Sequence, residues 1–198
     1  MFISIGLDCG NADFFKKRNL RQISLPFDWV VTYNGVSEII KNDFSNYISN
    51  SKFNQDYDVY FMHNDFTNLN DRTTMERRIN RFKHILETSN EKITFVRKGH
   101  AFHNHEEINK HKNNSKYIIK SDIADAEDLD LILQQKYPNL KYEIIVILVC
   151  GKCFDSKKEY ISISNNIKIY NISTPHVDNE KYNNLCLQIF YFISNIFY

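Results

Sequence analysis

EIIVILV, Glu143 to Val149, is an unbroken apolar run, mostly β-branched, opened by a single acid. A strand that is apolar at every position, not at every second one, must be covered on both faces. That is the pattern of a central strand in a parallel sheet. Upstream of it, Ala124 to Tyr137 has helical spacing and is closed by Pro138 and Asn139. Before that helix, Lys92 to Val96 is a strand and Thr73 to Thr88 is a helix with Met75, Ile79, Phe82, Ile85 and Leu86 on one face. Tyr57 to Met62 reads as the second strand, and Val36 to Ile48 resumes helical spacing after an irregular stretch, Leu20 to Trp29, that Pro26 interrupts. Phe2 to Leu7 is a buried first strand, followed by a short helix over Asn11 to Asn19. Beyond the central run, Tyr160 to Ile163 and Ile167 to Ile172 are strands near an edge, and Lys181 to Phe197 is a closing helix. Strands alternating with helices in this way predict an α/β fold: one layered domain over residues 1–198, with a mostly parallel central sheet flanked by helices. Residues 100–115, polar and rich in His and Asn, read as a flexible insert.

The composition agrees and narrows the function classes. With 198 residues, 42% hydrophobic and 14% aromatic, the chain has ample material for a core, so a disordered chain is excluded. Lys plus Arg total 25 against 24 Asp plus Glu, a net charge of +1, which predicts neither a nucleic-acid partner nor a membrane surface. The apolar run Leu185 to Tyr198 spans about 14 residues and is interrupted by Gln188, Ser194 and Asn195, short of the roughly 20 a spanning helix needs. Four Cys are too few for a disulfide scaffold, and Met1 runs straight into a strand pattern with no basic leader. A cytoplasmic, reducing setting is the expectation, the host cytoplasm if the source is viral. Heavy use of Ile, Asn and Lys reads as AT-rich coding, as in some viruses, parasites and low-GC bacteria.

Cys9 is the thiol best placed for chemistry. It follows the first strand at a strand-to-helix turn, SIGLDCGNADFF, at the carboxyl edge of a parallel sheet where α/β proteins build their sites. A helix N-terminus lowers a thiol's pKa and offers N–H donors to an oxyanion, while Asp8 next to it works against the thiolate. His63, after the second strand, is a candidate base, with Asp65 close by to orient it. His176 in STPHVDNEKYNNL is the rival base: it precedes the closing helix, a layout similar to that of the SGNH-type hydrolases, although Gly-Leu-Asp-Cys stands in place of their Gly-Asp-Ser. The His-rich stretch (His100, His103, His105, His111) matches no compact zinc spacing, and Cys150-Gly-Lys-Cys153 has no second Cys pair, so neither a metal nor a cofactor is expected. Arg72, Arg77, Arg78, Arg81 and Arg97 form a basic group suited to a carboxylate or phosphate, with Arg97, directly after a strand, as the one expected to reach the site. No glycine-rich phosphate loop is present.

Taken together and in order, SIGLDCGNADFFKKRNLRQISLPFDWV, VYFMHNDF and RRINRFKHIL…ITFVR resemble a family of bacterial and viral proteins named as papain-like cysteine peptidases. The shared pattern is Ser-hydrophobic-Gly-x-x-Cys, a PFDW block, an F-x-H-D-type block, and an R-R-x-x-R-F helix leading to a strand that ends in Arg. The match runs from Phe2 to Arg97. The resemblance implies that Cys9 is the nucleophile, His63 the base and Asp65 the acid, with Asn64 between His and Asp where the pattern often has them adjacent. The family's PFDW falls on Pro26, Phe27, Asp28 and Trp29. A papain fold places its Cys on a long helix and its His on an antiparallel sheet, whereas the strand pattern here puts Cys9 after a parallel strand. The residues also give PFDW a structural role: Phe27 and Trp29 anchor the irregular segment, and a buried Asp28 requires a partner such as Arg21 or an Arg of the later helix.

Three readings follow. One is a cysteine-dependent hydrolase or acyltransferase acting on a peptide or other acyl substrate, with Cys9, His63 or His176, and Asp28 or Asp65. Another is a transferase that holds a phosphorylated or nucleotide-sugar ligand through Arg21, Trp29, Arg77, Arg81 and Arg97. The third is a non-enzymatic interaction module. The sequence leaves the oligomeric state open.

Overall fold

A computed structural model describes residues 1–99, 121–148 and 160–171. Five strands form the main sheet: β1 (Phe2–Ser4), β5 (Ile93–Gly99), β6 (Tyr142–Leu148), β7 (Tyr160–Ser162) and β8 (Ile167–Asn171). Their order is β1-β5-β6-β8-β7; β1, β5, β6 and β8 are mutually parallel, and β7 pairs antiparallel at the edge. The fold is therefore α/β as expected, and the apolar run beginning at Glu143 is its central strand, buried at every described position. A second sheet, β2 (Val31–Thr32), β3 (Phe53–Asn54) and β4 (Val59–Tyr60), is small and antiparallel, in the order β2-β4-β3.

Helices α1 (Gly10–Lys17), α2 (Ser37–Lys41), α3 (Leu69–Thr88) and α4 (Asp122–Lys136) connect the strands. Alternation along the parallel strands sends successive side chains to opposite faces. Ile3, Ile5, Phe95, Ile144, Val146 and Ile169 join the larger core with the apolar faces of α3 and α4. Val96, Ile145 and Ile147 pack on the other face with Phe15 of α1. Asn68 caps α3 through a hydrogen bond from the Asn70 N–H (2.8 Å), so that helix begins at Leu69, before the expected start at Thr73.

Three expectations need correction. The strand expected over Tyr57 to Met62 is shorter: only Val59–Tyr60 is extended, and it pairs in the small antiparallel sheet, with Asp58 at φ 52 turning the chain before it. The helix expected to reach Ile48 ends at Lys41, because Asp43, Phe44 and Asn46 take left-handed conformations. That turn carries Phe44 into the core between Phe27 and Phe82, with ring centroids 5.5 and 5.7 Å away. Finally, β5 runs on to Gly99, so Arg97 lies within the strand and not after it. The expected insert at 100–115, the Cys150–Cys153 pair, His176 and the closing helix lie outside the described residues.

Candidate active site

Cys9 sits at the N-cap of α1, where the chain leaves the carboxyl end of the parallel strand β1. Its thiol is partly exposed and free, and makes no capping hydrogen bond. Capping falls to the preceding residue: Asp8 Oδ1 accepts from the Gly10 N–H at 2.8 Å, and its Oδ2 pairs with Lys98 Nζ at 2.9 Å. Asn11, buried in the first turn, donates to the Gly6 and Val96 carbonyls and ties the helix start to β5. Burial pushes the Cys9 thiol up from its ordinary value, the Asp8 and Asp13 carboxylates push the same way, and Lys98 opposes them. The pull expected of a helix N-terminus is outweighed here, first by burial and then by the Asp8 carboxylate.

Strand β2, which follows the irregular segment, reaches this corner through the Thr32 N–H, which donates to the Leu7 carbonyl at 2.8 Å. Gly6 has φ +86, and the space a Cβ would need is filled by Thr32 Oγ1 and Arg97 Nη1, so glycine alone fits there. Arg97 itself is 1% exposed. It bonds Asp122 at 2.7–2.8 Å, the Ile5 carbonyl at 3.0 Å, the Thr32 carbonyl at 2.8 Å and the Thr32 hydroxyl. Its guanidinium is thus consumed inside the fold, joining β1, β2, β5 and α4.

Phe27 is fully buried and anchors the PFDW block, whereas Trp29 stays half-buried. Arg21 lies over the Trp29 ring at 5.3 Å and pairs with Asp28 at 3.2 Å. Asp28 is 2% exposed and also accepts from the Leu25 N–H at 2.9 Å. Burial raises its pKa, and the Leu25 N–H and Arg21 work in the opposite direction. His63 is exposed and meets the Trp29 ring edge-on, with centroids 6.1 Å apart. Asp65 is exposed; its carboxylate accepts from the Thr67 N–H (3.1 Å) and hydroxyl (2.6 Å), which lower its pKa. Among the described residues no hydrogen bond joins His63 to Cys9, Asp28 or Asp65. Arg81 donates to the Ser24 carbonyl at 3.0 Å, and Arg77 is exposed.

The corner also contains groups the sequence did not single out. Lys98 and Asn11 fix the turn on either side of Cys9, Lys98 through Asp8 and Asn11 through the Gly6 and Val96 carbonyls, and Asp122 is the acid that retains Arg97 in the interior. Alternation alone would have placed Lys98 on the α1 face, two residues after Val96. Among the described residues there is no group of three His, Cys, Asp or Glu that would hold a metal ion, and no helix long and apolar enough to cross a membrane. A cleft of about 380 Å³ between the end of α4 and the start of β6 is lined by Lys92, Gln134, Tyr137 and Tyr142, away from every candidate above.

The described residues form an α/β protein with a mostly parallel sheet and a partly exposed thiol at the turn after its first strand, the edge at which α/β proteins build their sites. The chain belongs to the family described as "Putative papain-like cysteine peptidase (DUF1796)", whose model matches residues 1–56 and 50–150. No curated protein and no solved structure matches it.

Proposed function

We propose that this protein is a cysteine-dependent hydrolase or acyltransferase with Cys9 as its nucleophile. The observation that carries the reading is the position of Cys9: a partly exposed thiol at the N-cap of α1, at the carboxyl end of a parallel strand, in a chain of this family. In the reaction, the Cys9 proton passes to an imidazole as sulfur bonds to the acyl carbon, and the carbonyl π electrons move onto oxygen. First-turn N–H groups of α1 receive that oxyanion; the Gly10 N–H already serves Asp8, so the donors are those deeper in the turn. Collapse expels the leaving group with the proton from the imidazole, and water or a second acceptor then cleaves the thioester.

His63 is the base favoured by its neighbours, since Trp29 links it to the segment bonded to Leu7. It acts by turning off the Trp29 edge toward Cys9 when substrate arrives; His176 is the alternative. The raised thiol pKa fits a resting enzyme whose Cys stays protonated until a base is brought up. The substrate class is a peptide or other acyl compound.

The test uses p-nitrophenyl acetate as acyl donor, with peptide mapping by mass spectrometry. An acetyl adduct on Cys9, lost in Cys9→Ala and formed at least tenfold more slowly in His63→Ala, is the expected result. If acetylation slows in His176→Ala and not in His63→Ala, the base is reassigned. Adducts spread over the four Cys without preference, at rates independent of both His residues, would overturn the reading.

A further inference from the structure

The cleft between the end of α4 and the start of β6 lies at the opposite edge of the sheet from Cys9. Cys9 follows β1 at its carboxyl end, whereas Lys92, Lys141 and Asn166 stand just before β5, β6 and β8 and line a space of about 380 Å³. Strand order spreads these groups across the cleft. Lys92 and Lys141 are neighbours, tied where the Ile93 N–H donates to the Lys141 carbonyl at 2.8 Å. Asn166 lies on the other side of β6, its carbonyl accepting from the Ile144 N–H at 2.7 Å. Cations therefore stand on the β5 side and a carboxamide on the β8 side. The β8 side is held from behind by Asp130 of α4, which is 7% exposed. Its carboxylate accepts from the Tyr142 hydroxyl and from Asn166 Nδ2 (3.0 Å), and its carbonyl accepts from Tyr142 at 3.1 Å. One buried acid thus fixes two groups that line the cleft. Gln134 and Tyr137 fall four and seven residues after Asp130, on the same face of the α4 end, and line the cleft as well. No acid is among the lining residues, and Lys141 makes no ion pair among the described residues.

We propose that this cleft binds an adenine mononucleotide. A carboxamide sets a donor beside an acceptor, the pattern that matches an adenine edge, and Gln134 and Asn166 supply it. Tyr137 and Tyr142 give a flat base aromatic surface to lie against. The Lys92 and Lys141 ammonium groups meet the phosphate as point charges. The volume suits a single nucleotide, at the small end of ligand sites. None of the arginines expected to hold a phosphorylated ligand lines this cleft. The site does not depend on chemistry at Cys9, so Cys9→Ala retains it.

The experiment is isothermal titration calorimetry of AMP into the whole protein at constant ionic strength, with adenosine and ribose 5-phosphate titrated separately. AMP is expected to bind saturably at one site, and each half-ligand at least tenfold more weakly. Lys141→Gln should weaken AMP at least fivefold and leave adenosine unchanged, whereas Gln134→Ala should weaken AMP and adenosine alike. Both residues are exposed, so neither substitution disturbs the core. Lys17→Gln, at an exposed position of α1, should change nothing. Absence of saturation, or equal weakening by Lys17→Gln, overturns the site. Ribose 5-phosphate binding as tightly as AMP overturns recognition of the base, and adenosine doing so overturns the phosphate contact.

Discussion

Cys9 and Asp8 are adjacent in sequence, and their side chains have opposed effects. Asp8 fixes the turn that presents the thiol, and its charge opposes the thiolate. Replacing it with Asn retains an oxygen for the Gly10 N–H and removes the charge. Because Asp8 raises the Cys9 pKa, Asp8→Asn lowers it, and at pH 8 a larger fraction of the thiol is ionised. Alkylation of Cys9 by iodoacetamide, followed by peptide mapping, should therefore become several-fold faster in Asp8→Asn, with a midpoint shifted to lower pH. An unchanged or slower rate would mean that burial alone controls this thiol. Cys9 was legible because it stands at a strand-to-helix junction, a purely local signal. Arg97 was not. A charged residue after an apolar run reads as the end of a strand, and only the distant Asp122 and Thr32 explain why it continues inside one. The Arg21–Asp28 pair falls between these cases: a buried Asp demands a cation, and the nearest in sequence supplies it.

Elements are held together by a few buried carboxylates that bridge neighbours. Asp125 of α4 accepts from the Val36 and Ser37 N–H groups and so caps α2 from another helix. Gly35, at φ +83, leaves the space that this carboxylate occupies. Glu143, the second residue of β6, gathers three strands: it accepts from the Thr94 hydroxyl at 3.0 Å and pairs with Lys92 at 3.1 Å and Lys168 at 2.7 Å. Burial raises its pKa, but the bonds from Lys168, Lys92 and Thr94 outweigh burial, and the net direction is downward from 4.5. A depressed carboxyl pKa gives stability that is present above the unfolded value and is lost as pH falls through the folded one. Denaturant unfolding should thus find Glu143→Gln less stable by roughly 1–3 kcal/mol at pH 7. The gap should narrow below about pH 4.5, where the wild-type group takes up its proton. A pH-independent difference would assign the loss to packing. The acid in EIIVILV marked only the start of the run in sequence. Its partners on β5 and β8 depend on strand order, which periodicity does not reveal. For the same reason the sequence does not say which sheet the strand after Tyr57 joins: two extended residues look alike whichever neighbour they pair with.

At the scale of the molecule, the question is whether the parallel sheet and the small antiparallel sheet unfold as one. The sequence predicts one domain, and in the described residues one buried cluster reaches both sheets. Ile3, Phe95 and Val146 of the main sheet belong to the same buried cluster as Phe27, Val59 and Phe61 around the small one. Phe82 of α3 is fully buried at the junction, edge-on to both Phe27 (5.6 Å) and Phe44 (5.7 Å). A shared core makes local opening expose surface on both sides, so neither sheet gains by unfolding alone. Two probes separate the alternatives. Trp29 fluorescence reports on the irregular segment beside the small sheet, whereas far-UV circular dichroism is dominated by the helices and the main sheet. In urea the two curves should coincide, and Phe82→Ala should move both together by about 3–5 kcal/mol, the usual cost of emptying a large aromatic site. If the fluorescence curve precedes the other, and Phe82→Ala shifts it alone, the PFDW segment and small sheet form a separate, weaker unit. The corner around Cys9, bonded to that unit through Thr32, would then open before the parallel sheet does.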